Sequence, residues 1–360
     1  MANITYRCPE CGGEIGWNGP LGMFKCEYCD GQFSKDEISG INTDTEHEDI
    51  QHGEEVDDEY AVTDDGTISA GANSLVKYRC SNCQAELITD KSTAASICVY
   101  CGRPIVMTEQ IIGDFKPKYV LPFKKTKEEA LTVFSKFMKK PLTPKDFKDA
   151  VTVDKVQGIY IPFWLFSGKC MLQGRYKSMN CVREKKTRVN DDERVLRIWD
   201  VYDSKREGII SFDKIPADGS SKTDDEAMQS IEPYDFKELI PFDPAYLSGY
   251  LAERYDEDAS VQEGKIEDRI RCSAHDKLIE TVDFDRVETV SFDYKVTDKE
   301  TEYALLPTWL LYCTYKGKNY LFAMNGQTGK FIGNLPISIA KTIGIFIGTF
   351  LVSALFFWFL

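Results

Sequence analysis

The most constraining feature of this 360-residue chain is the spacing of its cysteines, because eight of the twelve form four Cys-x-x-Cys pairs. The pairs are Cys8 with Cys11, Cys26 with Cys29, Cys80 with Cys83, and Cys98 with Cys101. Fourteen residues separate the first pair from the second, and fourteen separate the third from the fourth. One Cys-x-x-Cys turn presents two sulfurs to a metal ion, and a second turn completes a tetrahedral four-sulfur site. The spacing therefore predicts two four-cysteine zinc ribbons, at residues 1–40 and 76–110, which bind two Zn²⁺ ions.

A redox pair of the thioredoxin type is the alternative for a single Cys-x-x-Cys motif, but two pairs at this spacing favour metal binding. No apolar leader precedes Cys8, so we expect a reducing compartment, in which thiolates bind metals more often than they form disulfides. A ribbon of about forty residues buries little apolar surface. The metal is therefore expected to supply much of its folding free energy.

The segment between the two ribbons is strongly acidic. Residues 41–70 contain eleven acidic residues and no lysine or arginine, so they account for most of the net charge of −14. A segment of this composition cannot bury enough apolar surface to order itself. We expect a flexible linker at residues 41–75, with an acidic docking tail as the alternative.

A long apolar run lies at the C-terminus. Residues 342–360 are nineteen residues without a charge, and Lys341 precedes them. A helix of this length measures roughly 28 Å, which is close to the hydrocarbon thickness of a bilayer. The run predicts one C-terminal transmembrane helix, with a buried core helix as the alternative. Because basic residues favour the cytosolic side, we expect a single-pass protein of the cell membrane whose N-terminal bulk is cytoplasmic.

Helix signals recur between residues 115 and 335. Thr126-Lys-Glu-Glu129 is a capping box that opens one helix. Asp243-Pro244 predicts a second helix that continues to about Tyr255. A third helix is expected from Asp258 to about His275.

Strand patterns fill the rest of this region. The β-rich runs are residues 156–172, 194–202, 208–212 and 290–296. Ile161-Pro-Phe-Trp-Leu165 is echoed by Leu306-Pro-Thr-Trp-Leu310, which indicates two related half-units. Asn325-Gly326 predicts a hairpin between residues 319 and 332. The predicted fold class is α+β, with two small four-cysteine zinc ribbons, an α+β cytosolic domain at 115–335 with an antiparallel sheet, and one C-terminal transmembrane helix at 342–360.

No catalytic motif stands out. A phosphate-binding loop ends in Gly-Lys-Ser/Thr, and none of the four Gly-Lys pairs is followed by a hydroxyl residue. His275 is the one histidine of the region and lies on a charged helical stretch. The remaining cysteines are scattered and are expected to be buried, unreactive thiols: Cys170, Cys181, Cys272 and Cys313. Because a site with four cysteine ligands is closed to substrate, we expect no enzyme and no catalytic residue.

Several short motifs, taken in order, resemble the bacterial TFIIB-type zinc-ribbon-containing membrane proteins, some of which accompany phage-shock-protein-A-like envelope-stress systems. The motifs are Cys80–Cys101, Tyr119-Val-Leu-Pro-Phe123, Gly158–Leu165, Ile231-Glu-Pro-Tyr234 with Pro241-Phe242, Tyr246-Leu-Ser-Gly-Tyr250 with Tyr255-Asp256, Leu306-Pro-Thr-Trp309 and Asn325-Gly-Gln-Thr-Gly329. Ser81 and Gln84 depart from the CPxCG pattern of the family, although all four sulfurs remain. The resemblance covers about residues 76–340. It implies a membrane-associated cytosolic protein without established catalysis and with phage-shock-protein-A-like protein partners.

Three functions are compatible with these features. The first is a membrane-anchored cytosolic zinc-ribbon scaffold or adaptor that docks partner proteins, by resemblance in an envelope-stress response. The second is a nucleic-acid-binding zinc-ribbon protein tethered to the membrane, and the third is an enzyme within the α+β domain. Nucleic-acid binding requires clustered lysine and arginine. The stretch 77–125 carries a net charge of +4, but the acidic linker would compete for it, so we favour the scaffold over a nucleic-acid partner.

Overall fold

The structure is a computed structural model, and it describes residues 3–4, 6–39, 75–79, 86–90, 92–97, 104–107, 115–150, 153–189, 192–223 and 225–359. Its strands are β1 (Asn3–Ile4), β2 (Ile15–Asn18), β3 (Met23–Cys26), β4 (Gln32–Phe33), β5 (Leu75–Arg79), β6 (Glu86–Asp90), β7 (Thr93–Ile97), β8 (Pro104–Met107), β9 (Tyr119–Val120), β10 (Val153–Val189), β11 (Asp192–Asp218), β12 (Ile240–Pro241), β13 (Leu251–Glu253), β14 (Arg286–Tyr315), β15 (Lys318–Asn325) and β16 (Phe331–Gly333). Its helices are α1 (Lys35–Ser39), α2 (Lys127–Phe137), α3 (Lys145–Ala150), α4 (Asp225–Ser230), α5 (Ala259–Ile279) and α6 (Ile339–Phe359). Residues 41–74 of the predicted linker lie outside the described residues.

The chain divides into two compact units. Unit 1 comprises Met1–Phe163, Asp218–Asp256 and Tyr303–Leu360, and unit 2 comprises Trp164–Ala217 and Glu257–Glu302. Both β10 and β14 contribute residues to each unit. Unit 2 therefore consists of two excursions of the chain, each of which leaves unit 1 and returns to it.

A mixed sheet forms the framework of unit 1. Its strand order is β1-β8-β7-β13-β10-β14-β15-β16, with β9 beside β14 and β12 beside β9. Most of these neighbours are antiparallel, but β13 runs parallel to β10 and β9 runs parallel to β14. The predicted α+β domain with an antiparallel sheet is therefore wrong. Parallel neighbours require long connections between distant parts of the chain, and the result is a mixed α/β fold dominated by sheet.

Four aromatic side chains form the centre of the unit 1 core. The Phe123 ring stacks on the Tyr250 ring with centroids 4.0 Å apart, and its edges meet Tyr160 and Trp309. Phe123 and Tyr160 are completely buried. These four residues come from four of the motifs that carry the family resemblance. The motifs are therefore separated in sequence but share one core.

Two of the predicted helices are confirmed and one is wrong. The capping box is formed at the start of α2, and α5 covers the helix expected after Asp258. Asp243 accepts a hydrogen bond from the Ala245 N–H, but only a short 3-10 turn, Pro244–Leu247, follows it. Gly249 then adopts a φ of +89°, and β13 pairs with β10. A backbone that pairs within a sheet cannot also make helical hydrogen bonds, so the predicted helix ends after one turn.

The predicted β-rich runs are parts of three long strands. Residues 156–172 lie in β10, residues 194–202 and 208–212 lie in β11, and residues 290–296 lie in β14. The two echoed segments occupy β10 and β14, which are neighbours in the sheet order. The hairpin predicted at Asn325-Gly326 is confirmed, because β15 and β16 pair antiparallel across that turn.

A helix packed on a sheet forms unit 2. The helix α5 buries a row of residues spaced four apart: Ile266, Ile270, Ala274 and Leu278. They share a core with inward-facing side chains of β10: Phe166, Cys170, Leu172 and Tyr176. In this sheet β10 has β11 on one side and β14 on the other. Within the residues that the structure describes, no strand pairs with the outer edge of β11.

The C-terminal apolar run does form a helix, α6. A bilayer crossing needs about 20 consecutive, predominantly apolar residues in one helix. In the part of the chain that the structure describes, no helix is long and apolar enough to meet this requirement. The predicted single C-terminal transmembrane helix at 342–360 is therefore wrong. The membrane as a partner and the single-pass placement in the cell membrane, which rested on that helix, are wrong with it.

Candidate metal centre

The four cysteines of the first predicted ribbon come together in the structure. The first pair lies in a turn closed by a bridge between Arg7 and Glu14, and the second pair lies in the turn between β3 and β4. The sulfur atoms of Cys8, Cys11, Cys26 and Cys29 all lie within 4.8 Å of one another. Spacing alone predicted this set, and the cluster could hold one metal ion.

The sulfur separations fit a tetrahedral thiolate site. The Sγ atom of Cys8 is 3.6 Å from that of Cys29, and the Sγ atom of Cys11 is 3.6 Å from that of Cys26. Metal–sulfur bonds of about 2.3 Å in a tetrahedron place the sulfurs roughly 3.8 Å apart. Four protein ligands complete such a coordination sphere. The site therefore has the dimensions and donor set of a closed, structural metal centre.

Glycines shape the two turns around the sulfurs. The Gly12 N–H donates to the Cys8 carbonyl at 2.9 Å, and Gly12 has a φ of +70°, which glycine adopts without strain. In the second turn the Cys26 N–H donates to the Gly31 carbonyl at 2.9 Å. A Cβ atom on Gly13 would lie 2.7 Å from the Tyr28 ring. The side chains at these positions are therefore limited by the space around the cluster.

The pKa values of the Cys26 and Cys29 thiols are shifted in opposite directions. Burial disfavours the Cys26 thiolate, but the backbone N–H groups of Cys29 and Tyr28, together with the thiols of Cys11 and Cys29, lower its pKa to about 7. At Cys29 the Gly31 N–H works in the same direction, but desolvation and the neighbouring sulfurs prevail and raise its pKa to about 12. Several negative sulfurs at this separation repel one another. A bound cation is what would allow all four to be thiolates together.

One side of the cluster faces solvent. Cys8 and Cys26 are buried, whereas Cys11 and Cys29 are exposed. The Cys29 thiol lies 3.8 Å from a carboxylate oxygen of Glu10. Beside it the Tyr28 side chain is 74% exposed, an unusual position for a large aromatic residue. The outer face of the ribbon therefore presents sulfur, an acid and an aromatic ring.

The opposite side of the ribbon is fastened to the unit 1 core. The Trp17 indole N–H donates to the Phe123 carbonyl at 2.9 Å, and the Ser248 hydroxyl donates to the Ile15 carbonyl at 2.7 Å. The Tyr250 hydroxyl donates to the Trp17 carbonyl at 3.2 Å. A Cβ atom on Gly19 would lie 2.1 Å from the Phe123 carbonyl oxygen. We call these contacts the seam, and they make the ribbon part of unit 1.

Cysteine spacing gave no signal for the seam. Trp17 and its acceptor Phe123 are 106 residues apart, and nothing local marks either as a partner of the other.

Of the predicted metal ligands, Cys80, Cys83, Cys98 and Cys101 lie outside the described residues. The expectation of buried thiols elsewhere is confirmed for Cys170 and Cys313, whereas Cys181 is half-buried and Cys272 is exposed.

The geometry defines a protein with a four-cysteine cluster that could hold one metal ion, and one comparison places it in a family. The protein YdjG of Bacillus subtilis (strain 168), described as uncharacterized, is 32% identical over 362 residues, which cover 97% of this chain and 96% of YdjG. The chain belongs to the same family as YdjG. No family model matches the chain, and no solved structure matches it. The resemblance to TFIIB-type zinc-ribbon proteins, with its envelope-stress partners, therefore stays a prediction.

Proposed function

We propose that this protein is a zinc-ribbon adaptor, in which zinc holds the N-terminal region in shape and the chain acts by binding a partner protein. The observation that carries the proposal is the closed four-cysteine cluster, fastened to the core on one side and exposed on the other. A catalytic metal keeps an open coordination position, and four cysteines leave none. A structural ion with an exposed outer face favours binding over chemistry.

Zinc is the metal that this donor set favours. Tetrahedral four-sulfur sites in proteins hold zinc or iron–sulfur clusters. Sulfur separations of 3.6 Å leave room for one ion with bonds of about 2.3 Å rather than for a multinuclear cluster. The ribbon also buries few large side chains, chiefly Ile15, Phe24 and Ile38. Its folding free energy would then come in large part from the metal.

A second zinc site is supported by strand register. Around the first ribbon, Arg7 pairs with Glu14 and Lys25 pairs with Gln32. Around the second, Arg79 pairs with Glu86 and Ile97 pairs with Pro104. In all four cases the residue before the first cysteine of a Cys-x-x-Cys pair is opposite the residue six positions after that cysteine. The described strands thus bracket Cys80–Cys83 and Cys98–Cys101 as they bracket the first two pairs.

The exposed face of the first ribbon fits a protein better than a nucleic acid. Residues 1–40 contain three basic and six acidic residues. A phosphate backbone would be repelled by this balance. Tyr28, 74% exposed, and Leu21, 47% exposed, are aromatic and aliphatic anchors of the kind that protein interfaces bury. Membership in the TFIIB-type zinc-ribbon family is part of this proposal.

Metal analysis of the purified full chain tests the zinc sites. We expect two zinc ions per chain, and one each in Cys26→Ser and Cys98→Ser. Iron, or one ion in the unmodified chain, would contradict the two-zinc proposal.

Affinity capture from the native host then tests binding, with Tyr28→Ala compared with Val261→Ala, a 56% exposed residue on α5. We expect a discrete partner to be lost from Tyr28→Ala alone. Equal capture of partner proteins by both variants, together with DNA binding that weakens steeply with salt, would contradict the adaptor proposal. It would support the nucleic-acid-binding alternative instead.

A further inference from the structure

The outer edge of β11 in unit 2 is exposed and unusually apolar. Between residues 195 and 202 six of eight side chains are apolar or aromatic. Five of them are largely exposed: Val195 46%, Leu196 57%, Ile198 50%, Val201 56% and Tyr202 47%. Contiguous exposed apolar side chains of this kind mark interaction surfaces.

The same segment belongs to a long edge strand that lacks two of the usual protections. β11 has 27 residues and pairs only with β10 among the described strands. Edge strands are normally kept short or are interrupted by proline, and no proline occurs in β11 before Pro216. No described strand therefore occupies the N–H and C=O groups along its outer edge.

The end of this hairpin also lacks support on its other side. The Cys181 N–H donates to the Asp285 side chain at 2.7 Å, which marks where the chain enters β14. Beyond Cys181 the described part of the sheet consists of β10 and β11 alone. A two-stranded ribbon is marginally stable by itself in water. An added strand beside β11 would stabilise it and bury the apolar residues.

We propose that the occupant is β11 of a second copy of this chain, paired antiparallel across a twofold axis. Such an axis is perpendicular to the sheet and places one residue opposite its own copy. Centring the axis on Arg197 would oppose two arginines, and centring it on Asp200 would oppose two aspartates. Like charges directly opposite each other destabilise a strand pair.

Between residues 195 and 201, the register centred on Ile198 avoids these conflicts. It places Ile198 opposite Ile198, Val195 opposite Val201, and Arg197 opposite Trp199. These are two apolar pairs and one cation–aromatic pair, all of which stabilise neighbouring strands. Leu196 opposite Asp200 is the one mixed pair. The segment is thus complementary to itself in this register, and the unit 2 sheets of two copies would become continuous.

Sedimentation of the full chain, at roughly 1 to 100 µM, tests association. We expect a dimer for the unmodified chain, and at least a tenfold weaker association for Ile198→Lys. Met171→Lys is the matched control, because Met171 is 49% exposed but lies on β10 rather than on the edge strand. It should dimerise as the unmodified chain does, and circular dichroism should show both variants folded. A monomeric unmodified chain, or an Ile198→Lys variant that still dimerises, would overturn the proposal.

Disulfide trapping tests the register without disturbing the fold. Opposite residues at the axis have Cα atoms about 4.5 to 5.5 Å apart, within the range of a disulfide. Ile198→Cys should therefore cross-link to its copy with diamide, above the background of the unmodified chain. Leu196→Cys should not, because its two copies would be roughly 14 Å apart along the strands. Equal cross-linking of both variants, or of neither, would contradict the proposed pairing.

Discussion

The first ribbon and unit 2 each contain a fully buried cysteine, and the pKa values of the two thiols are shifted in opposite directions. Cys26 and Cys170 are both completely inaccessible to solvent. At Cys170 burial is the main influence and raises the pKa of the thiol. At Cys26 burial acts in the same direction, but hydrogen bonds from two backbone N–H groups and two neighbouring thiols together lower the pKa to about 7. Burial alone therefore does not decide the pKa of a cysteine, because hydrogen bonds in the turn around it also act on the thiolate.

The two regions also differ in what stabilises their folds. Unit 2 has a continuous apolar core between α5 and its strands, and its cysteine is one small apolar side chain among others. The first ribbon has only a few buried apolar residues, and we expect it to depend on the seam and on a metal ion held by its four cysteines. Removing a metal should therefore affect one region, and removing core methylene groups should affect the other.

The largest expected effect is the loss of the metal. Cys26→Ser should lower the zinc content by about one ion per chain and unfold the ribbon, since structural zinc contributes roughly 10–16 kcal/mol of apparent binding free energy. Hydrogen exchange should then show loss of protection in residues 6–39 and unchanged protection in α5. The matched control is Cys170→Ala, which removes an equally buried sulfur and should leave the zinc content unchanged. Loss of zinc from the Cys170→Ala control would contradict the prediction that metal binding concerns the first ribbon and not unit 2.

A core truncation in unit 2 should give the next largest effect. Ile270 is 5% exposed on the inner face of α5, so Ile270→Ala should lower the free energy of unfolding by about 2–5 kcal/mol. Denaturant unfolding followed by circular dichroism measures this change. Val261→Ala, at an exposed position of the same helix, should change it by less than about 0.5 kcal/mol. The zinc content should stay the same in both variants, and a decrease would show that the two regions are not independent.

The seam should give an intermediate effect. Trp17→Phe keeps an aromatic ring but leaves the Phe123 carbonyl without its donor, which should cost about 1–3 kcal/mol. We expect faster hydrogen exchange of the backbone amides at position 17 and at Tyr250, with full zinc content. Tyr28→Phe, on the exposed face of the ribbon, should change neither quantity. If Trp17→Phe also released zinc, the seam would be a condition for metal binding rather than a consequence of it.

A surface ion pair of unit 2 should give the smallest effect. The Lys299 ammonium lies 2.6 Å from a carboxylate oxygen of Glu267, but both side chains are about 40% exposed. Pairs of this kind contribute about 0.2–1 kcal/mol and weaken in salt. Lys299→Ala should therefore lower the free energy of unfolding by no more than about 1 kcal/mol, and by less in high salt. A larger, salt-independent loss would mean that unit 2 depends on charge more than on its core.

Local signals predicted local features of this protein correctly. The four sulfurs of the first ribbon, the capping box of α2 and the helix α5 each follow from residues close together in the sequence. The helix predicted after Asp243 was wrong because a strand more than eighty residues earlier, β10, pairs with the chain just after Gly249. The parallel pairings and the seam were missed for the same reason, since they join distant segments. The predicted C-terminal span was wrong, because no helix in the described part of the chain is long and apolar enough to cross a bilayer.

The seam also has a consequence for the order in which the protein is assembled during synthesis. Ser248 and Tyr250 contact residues of the ribbon that precede them by 233 positions. At about 5–20 residues per second, a ribosome needs on the order of 10–50 s to make the intervening chain. During that time the ribbon is complete but lacks the contacts that Ser248 and Tyr250 provide. Metal capture by the nascent ribbon would hold its two turns together until the rest of unit 1 emerges.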